Sequence, residues 1–322
     1  KSKLFCSCDN RGEDAPPNTT VCPICMGHPG VLPVLNKQAL EYGLMAALAL
    51  NCKIPEKAKF DRKNYFYPDL PKGYQISMFD EPICVDGLVS IEMPATLSVA
   101  HGDAQRPRKH ANIRITRIHL EEDAAKSTHT SGKTFVDYNR GGTPLIETVT
   151  EPDFRSPLEA KVFLHELRRI MRYLGVSDAD MEKGHMRCDA NISLKPILAD
   201  VAQGFSPDVR LADVAQGFSP DEVRPEGLSY VNINSEVRPE GLSYVNISEL
   251  HPKTEVKNIN SFRAVERALQ YEIQRQTKLW DEGKPPAITT TRGWDDVAGM
   301  TVGQRTKEDS ADYHYFPEPD LP

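Results

Sequence analysis

The chain has 322 residues, of which 39% are hydrophobic, and its 39 lysines and arginines against 46 aspartates and glutamates give a net charge of −7. Such a chain can bury a sizeable core, which excludes a wholly disordered protein and a collagen-like fibre, and no apolar run reaches the roughly 18 residues of a membrane span. The acidic total also argues against holding nucleic acid by bulk charge, although it leaves room for a local basic groove.

Four cysteines near the start of the chain form two close pairs, Cys6 with Cys8 and Cys22 with Cys25. Thiolates at this spacing predict a zinc knuckle within residues 1–30. Two disulfides or free buried thiols are the alternatives, because the first pair is spaced more tightly than the usual C-x-x-C. The other cysteines are expected to be buried and inert: Cys52, Cys84 and Cys188.

Three helices are predicted from their ends. Each begins at a side chain that can cap free backbone N–H groups, and each ends at a residue that tolerates the left-handed conformation. The cap and end residues are Asn36 and Asn51 for the first helix, Ser156 and Gly175 for the second, and Ser261 and Gly283 for the third.

Between the helices, short segments rich in β-branched and aromatic residues predict β-strands. The turn at 139–144 is expected to join two of them as a hairpin. Strand runs interrupted by isolated helices favour an α+β fold with a mostly antiparallel sheet and packed helices. The predicted strands are 113–120, 134–138, 145–150, 187–194 and 253–259.

Residues 198–248 contain two copied phrases. Residues 198–208 recur word for word as 211–221, and residues 222–233 recur as 236–247. Solenoid repeats diverge and are usually longer, so this pattern indicates a recent local duplication or an error in the recorded sequence. We expect 198–248 to be a mobile, non-catalytic insertion.

Carboxylates are concentrated at the end of one predicted strand and inside another. The period of two puts Glu121 and Asp123 on one face of the first strand and Glu122 on the other. Glu147 interrupts an apolar strand, where a carboxylate needs a partner or a cation. Hard oxygen ligands on adjacent strands, with Lys126 nearby for a phosphate, favour a magnesium-nucleotide site. A solvated acidic cluster is the alternative.

The segment 60–77 interleaves cations with aromatic side chains. This combination can stack on a nucleotide or on the single-stranded end of an RNA and neutralise its phosphates. The alternative is an aromatic wall that packs on the sheet, with lysine and arginine at its edge. Composition alone does not decide between them.

Several phrases together resemble the B-subunit family of aspartyl/glutamyl-tRNA amidotransferases. They are DRKNYFYPD at 61–69, PKGYQIS at 71–77, HLEEDA at 119–124, GTPLIE at 142–147, RCDANIS at 187–193 and YFPEPD at 315–320. The resemblance covers nearly the whole chain apart from the duplicated insertion. It implies a cytoplasmic, ATP-dependent ligase of protein biosynthesis that amidates misacylated Glu-tRNA(Gln) or Asp-tRNA(Asn).

In this family the B subunit phosphorylates the tRNA-bound carboxylate, and ammonia from the glutaminase (A) subunit displaces the phosphate, in a complex of the A, B and C subunits. By motif match, the resemblance implies that Glu121 and Glu147 bind Mg²⁺, with Glu122 as an adjacent possibility. It implies contacts to the nucleotide or the tRNA acceptor end, at lower specificity, for Lys72, Tyr74, Arg187, Asp189, Lys257 and Asn258.

The resemblance also implies a domain organisation. Residues 31–322 would form the cradle, the catalytic domain, whose family fold is similar to that of glutamine synthetase and guanidino kinases. In the family, a Gly-Leu-Glu-[Ile/Val]-His strand that supplies further metal ligands precedes the position of Lys1, and helical and tail domains follow Pro322. We therefore expect a fragment with an incomplete metal site and no activity by itself.

Two other functions stay open from the sequence. The archaeal E-type counterpart shares the cradle but carries an extra inserted domain, whose signature is not seen here. A zinc-stapled RNA-binding module without catalysis would bind tRNA but would not consume nucleotide. The sequence does not distinguish tRNA(Gln) from tRNA(Asn) as substrate.

Overall fold

The computed structural model describes residues 2–94, 110–194, 196–197, 229–230, 251–304 and 314–321. Most of the duplicated segment 198–248 lies outside these residues. The helices are α1 Lys37–Ala49, α2 Pro157–Tyr173 and α3 Phe262–Asp281. The strands are β1 Asp61–Asn64, β2 Tyr74–Ser77, β3 Cys84–Glu92, β4 His110–Glu122, β5 Lys126–Thr130, β6 Lys133–Asp137, β7 Pro144–Thr150, β8 Cys188–Ile192, β9 Pro196–Ile197, β10 Ser229–Tyr230, β11 Thr254–Ile259, β12 Thr290–Asp295, β13 Met300–Gly303 and β14 His314–Pro317.

The helices start where their caps predict. The side chain of Asn36 accepts hydrogen bonds from two backbone N–H groups of α1, and Ser156 and Ser261 each accept one in α2 and α3. These bonds satisfy donors that the first helical turn leaves unpaired. Positive φ angles follow the three helices at Asn51, Gly175 and Gly283. The predicted bounds of all three helices are confirmed.

The strands form small, mostly antiparallel sheets, which confirms the α+β class. One sheet has the order β3-β4-β7, a second β14-β1-β2, and a third β13-β12-β11-β8, in which only the β11–β12 pair is parallel among the described strands. Two further antiparallel pairs are β5–β6 and β9–β10. No helix in the described part of the chain combines the length and apolar character that crossing a bilayer requires.

The predicted hairpin across 139–144 is wrong. Strand β6 pairs with β5, and β7 pairs with β4. Ser131 and Gly132, which join β5 to β6, have φ angles of 51° and 74°. Two consecutive positive φ angles give a tight turn whose twist matches that of antiparallel strands. The chain therefore forms its hairpin between β5 and β6, before it reaches residues 139–144.

Strand β4 runs through the middle of the core. Ile113, Ile118 and Leu120 have no exposed surface, and α1 packs against the same strand. A Cβ added at Gly43 of α1 would lie 2.8 Å from Ile83 Cδ1. The glycine therefore allows the helix to approach the sheet closely. This packing holds one face of β4 in the core, and the side chains of the other face are positioned by it.

Candidate functional site

Strands β4 and β7 bring together three groups that can bind a metal ion. His119 and Glu121 are two residues apart on β4 and share a face, and the register places Glu147 of β7 directly opposite His119. One ligand atom from each of the three lies within 4.8 Å of the others. The structure therefore brings the predicted pair Glu121 and Glu147 together and adds His119, which the sequence analysis missed.

The cluster is an imidazole between two carboxylates. His119 Nε2 lies 3.4 Å from Glu147 Oε2 and 3.9 Å from Glu121 Oε2, and Ser77 Oγ donates to Glu121 Oε2 at 3.1 Å. Burial opposes protonation of His119, but the hydrogen bonds and charges of the two carboxylates outweigh it and raise the pKa of the imidazole. Hydrogen bonding to His119 lowers the pKa of Glu147 against the opposing effect of burial. Each group of the His119–Glu147 pair therefore stabilises the charged form of the other.

Glu147 has the partner that an apolar strand requires, yet its side chain is 50% exposed. Its neighbour His119 is only 4% exposed. The Nδ1 atom of His119 is buried without a hydrogen-bond partner in the described part of the chain. The cluster thus has an open side at Glu147 and a buried imidazole with one unsatisfied nitrogen.

Glu122 lies on the opposite face of β4, as the period of two predicts, and outside the cluster. Its Oε1 accepts hydrogen bonds from Lys72 Nζ and, at 2.9 Å, from the Ile76 backbone N–H. The side chains of Lys72 and Glu122 are 10% and 5% exposed. In this arrangement Glu122 binds a lysine rather than sharing a cation with Glu121.

Replacing Lys72 by methionine is expected to lower the free energy of unfolding by about 3 kcal/mol, because it leaves the Glu122 carboxylate buried and unpaired. The double variant Lys72→Met/Glu122→Gln should recover most of this loss, since no charge is then buried. Urea denaturation of the intact protein measures both. Equal stability of wild type and Lys72→Met would contradict a buried ion pair.

Lys72 and Tyr74, two of the predicted substrate contacts, line a cavity of about 210 Å³ beside the cysteine loop. Arg62, which also lines it, lies 4.5 Å from the Tyr74 ring centre and donates to Glu318 at 2.7 and 2.8 Å. Phe60 is buried, whereas Phe66 is 94% exposed. The segment 60–77 is thus partly a packed wall and partly an exposed aromatic surface.

The other predicted substrate contacts fall into two groups. Arg187 donates to both carboxylate oxygens of Asp123, at 3.1 and 2.5 Å, just past the end of β4. Lys257 of β11 donates to Asp189 of β8 at 2.8 Å. Asn258, in a bulge with φ 62°, donates to the Trp294 backbone carbonyl at 3.0 Å. Among these four residues, as far as the structure describes the chain, Arg187 alone bonds a residue next to β4, the strand that carries His119 and Glu121.

The four cysteines of the predicted zinc knuckle converge. Sγ atoms of Cys6, Cys8, Cys22 and Cys25 lie within 4.8 Å of one another, and no cysteine in the described part of the chain forms a disulfide. The Cys22 backbone N–H donates to Cys25 Sγ at 3.2 Å. Four thiols at this separation are the donor set of a structural zinc site.

A buried lysine adjoins the thiols. Lys3 has no exposed surface, and its Nζ donates to Cys25 Sγ at 3.6 Å and to the Tyr138 carbonyl at 3.3 Å. Hydrogen bonding from Cys6 lowers the pKa of Cys25 to about 4, with the charge of Lys3 contributing and burial opposing. Burial raises the pKa of Cys8 to about 11. The loop therefore favours a thiolate at Cys25, whereas the pKa values of Cys6 and Cys8 are raised.

The cysteines outside the knuckle behave differently. Cys52 and Cys84 are buried, and Cys188 is partly buried. Burial raises the pKa of Cys52 and of Cys188 to about 12. Since the thiolate is the reactive form, these groups are inert thiols.

A family model described as the GatB/GatE catalytic domain matches residues 1–208 and 225–322. Proteins named as the B subunit of aspartyl/glutamyl-tRNA(Asn/Gln) amidotransferase are 47% identical in Thermodesulfovibrio yellowstonii and 45% identical in Roseiflexus sp., over 100% of this chain and 54% of each relative. The protein of that name from Persephonella marina is 45% identical over 99% of the chain. The chain spans about half the length of the curated relatives it matches.

Proposed function

Because the chain belongs to the GatB/GatE catalytic domain family, we propose that it is the catalytic cradle of a tRNA-dependent amidotransferase B subunit. Its substrates would be Glu-tRNA(Gln) and Asp-tRNA(Asn), and its partners would be the A and C subunits, in the cytoplasm. The observation that carries the proposal is the convergence of His119, Glu121 and Glu147 on one sheet face. A matching fold, similar to glutamine synthetase and guanidino kinases, belongs to the same proposal.

The proposed reaction has two steps, phosphorylation of the carboxylate and displacement of the phosphate by ammonia. A carboxylate oxygen of the tRNA-bound glutamate or aspartate attacks the terminal phosphorus of ATP, and the bond from that phosphorus to the ADP oxygen breaks. The acyl phosphate formed is then attacked at its acyl carbon by ammonia nitrogen; the bond from carbon to the phosphate oxygen breaks, and nitrogen loses a proton to solvent. The first step is needed because a free carboxylate is a poor acyl electrophile.

Residues of the cluster fit Mg²⁺ for this chemistry. Two carboxylates and one imidazole offer ligand atoms within 4.8 Å of one another, and the exposed side of Glu147 leaves room for phosphate oxygens. Bound there, Mg²⁺ supplies neutralisation of the phosphate charge. Glu121 and Glu147 would hold it, with His119 as a third ligand, while the hydrogen bond from Ser77 fixes the Glu121 carboxylate.

The proposed substrate contacts differ in how well their surroundings support them. Arg187 is attached through Asp123 to the strand end that carries Glu121, which supports a position beside the reacting groups. Tyr74 lines a cavity large enough for a small polar group. Lys72 is held by Glu122, so we assign this lysine and Glu122 first to the wall of that cavity.

We assign Zn²⁺ to the cysteine cluster as a structural ion. Residues 1–30 would form the knuckle within the cradle, and 31–322 the rest of it, with 198–248 as an insertion. Lys3, buried beside Cys25, would offset the negative charge of a four-thiolate site. The family's preceding strand and its helical and tail domains would complete the protein.

The test is ADP formation by the complete B subunit with its A and C partners, with glutamine, ATP and Mg²⁺ present. Misacylated Glu-tRNA(Gln) should stimulate ADP formation and be converted to Gln-tRNA(Gln), whereas correctly acylated tRNA should not. Binding of tRNA without ADP formation would instead identify a non-catalytic, zinc-stapled RNA-binding module. Conversion of Glu-tRNA(Gln) with rejection of Asp-tRNA(Asn) would match the specificity of the archaeal E-type counterpart.

A further inference from the structure

A bulge in β4 determines which side chains share a face with the cluster of His119, Glu121 and Glu147. Ile115 pairs with Thr150 and Arg117 with Val149, so Thr116 is an extra residue on β4. Before the bulge, the odd-numbered positions are buried in the core. After it, Ile118 and Leu120 take their place. The bulge therefore puts Arg117 on the same face as His119 and Glu121.

Arg117 has no partner for its charge in the described part of the chain. Its Nε atom is fully buried without a hydrogen-bond partner, and no carboxylate forms an ion pair with its guanidinium. Arg114, three residues earlier, shows the usual solution, because it donates to both oxygens of Asp153 at 2.9 and 2.7 Å. A half-buried cation without an anion is costly, so the position of Arg117 calls for an anionic ligand.

The carboxylate of Glu147 does not fill this role. Glu147 is near enough for the charge of Arg117 to help lower its pKa, but it is hydrogen-bonded to His119 and forms no ion pair with Arg117. In the register, Arg117 lies opposite Val149, two residues from Glu147 on β7, so the unpaired arginine is a neighbour of Glu147 on the same face of the sheet. An anion that bridges a cation at Glu147 and the guanidinium at Arg117 would satisfy both.

We propose that Arg117 contacts the oxygens of the phosphoryl group that is transferred from ATP to the tRNA-bound carboxylate. This inference rests on the proposed function. As the carboxylate oxygen bonds to phosphorus and the bond to the ADP oxygen breaks, negative charge spreads over the three other phosphoryl oxygens. The planar guanidinium donates hydrogen bonds to two of them and stays protonated throughout, so it transfers no proton. Arg117 is therefore a catalytic residue of that step.

The first experiment measures nucleotide binding by calorimetry in the complete complex with Mg²⁺. Arg117→Gln should weaken binding of the non-hydrolysable β,γ-imido analogue of ATP by at least about tenfold, because only that ligand has a third phosphoryl group. Affinity for ADP should stay within about twofold of wild type, since the lost contact is to the group that ADP lacks. Arg263→Gln, at an exposed position of α3, is the matched control and should change neither affinity.

The second experiment measures ADP formation in a single turnover and thermal unfolding of the same variants. Arg117→Gln should lower the rate by on the order of 10³-fold, and Arg117→Lys should restore part of it. The unfolding temperature should stay the same or rise, because the arginine has no partner to lose. A structural arginine would instead lower it.

Three outcomes overturn the proposal. One is an equal loss of affinity for ADP and the analogue, another is a wild-type rate in Arg117→Gln, and the third is a lower unfolding temperature with unchanged analogue binding. If Glu147→Ala abolishes ADP formation in the same assay, these outcomes remove only the role of Arg117. If Glu147→Ala retains it, the metal site at Glu147 fails instead, and if the wild-type complex forms no ADP with misacylated tRNA, the proposed function fails.

Discussion

Glu147→Ala is expected to lower ATP-dependent conversion of Glu-tRNA(Gln) by about 10³-fold or more in the complete B subunit joined to its A and C partners. Glu147 is the most exposed of the three clustered groups and so the one that solvent reaches most easily. Without it, Mg²⁺ would lose a carboxylate ligand, and His119 would lose one of its two charged neighbours. Amidation and ADP formation are both measured.

The glutaminase activity of the complex should survive Glu147→Ala, because hydrolysis of glutamine would take place on another protein of the complex. Glu147→Gln, which keeps the shape and removes the charge, should be nearly as inactive. Glu92→Ala, at the exposed end of β3 in the same sheet, is the matched control and should leave both activities unchanged. Full amidation by Glu147→Ala would make Glu147 a paired structural carboxylate and remove the metal site from this sheet.

Cys25→Ser is expected to lower the affinity for zinc by at least about 10³-fold, since a four-thiolate site loses a ligand that the surrounding chain prepares as a thiolate. Cys25 accepts hydrogen bonds from Lys3 and from the Cys22 backbone, so its replacement also removes the sulfur that the buried Lys3 contacts. Elemental analysis of the purified complex and its thermal unfolding curve report the two effects. Both the zinc content and the unfolding temperature should fall.

Cys188→Ser is the matched control, because Cys188 lies on β8 and outside the cluster. It should keep the zinc content of wild type. Removal of the metal from the wild-type protein by a strong chelator should reproduce the lower unfolding temperature of Cys25→Ser. Retention of full zinc content by Cys25→Ser would exclude the four-cysteine site.

The helices could be predicted because their signals are local. The caps at Asn36, Ser156 and Ser261 act on N–H groups two or three residues away, so the sequence contains both partners of each bond. Strand pairing is not local. The hairpin across 139–144 was predicted from sequence proximity, but β7 pairs with β4, from which the β5–β6 pair separates it.

The site shows the same division between local signals, which the sequence reveals, and contacts between strands, which it does not. Glu121 and Glu147 could be identified because a carboxylate inside an apolar strand needs a partner. His119 lies two residues before Glu121, and this spacing was the available signal, but a lone histidine on a strand is usually a core residue. Its role became visible only when the register placed Glu147 opposite it. Likewise, the period of two separates Glu122 from Glu121, but nothing local indicates that Lys72 binds it.

The copied phrases lie at a point of the sequence where the chain can change in length. They lie between β8 and β11, which are antiparallel neighbours with Ile192 opposite Thr254. The two ends of the intervening chain are therefore already side by side, and lengthening a loop whose ends are fixed costs only about 0.6 kcal/mol for each doubling. Added length there leaves the pairing of β8 with β11 unchanged. A chain of this family could therefore differ in length at this position without rearranging the strands that carry Asp189 and Lys257.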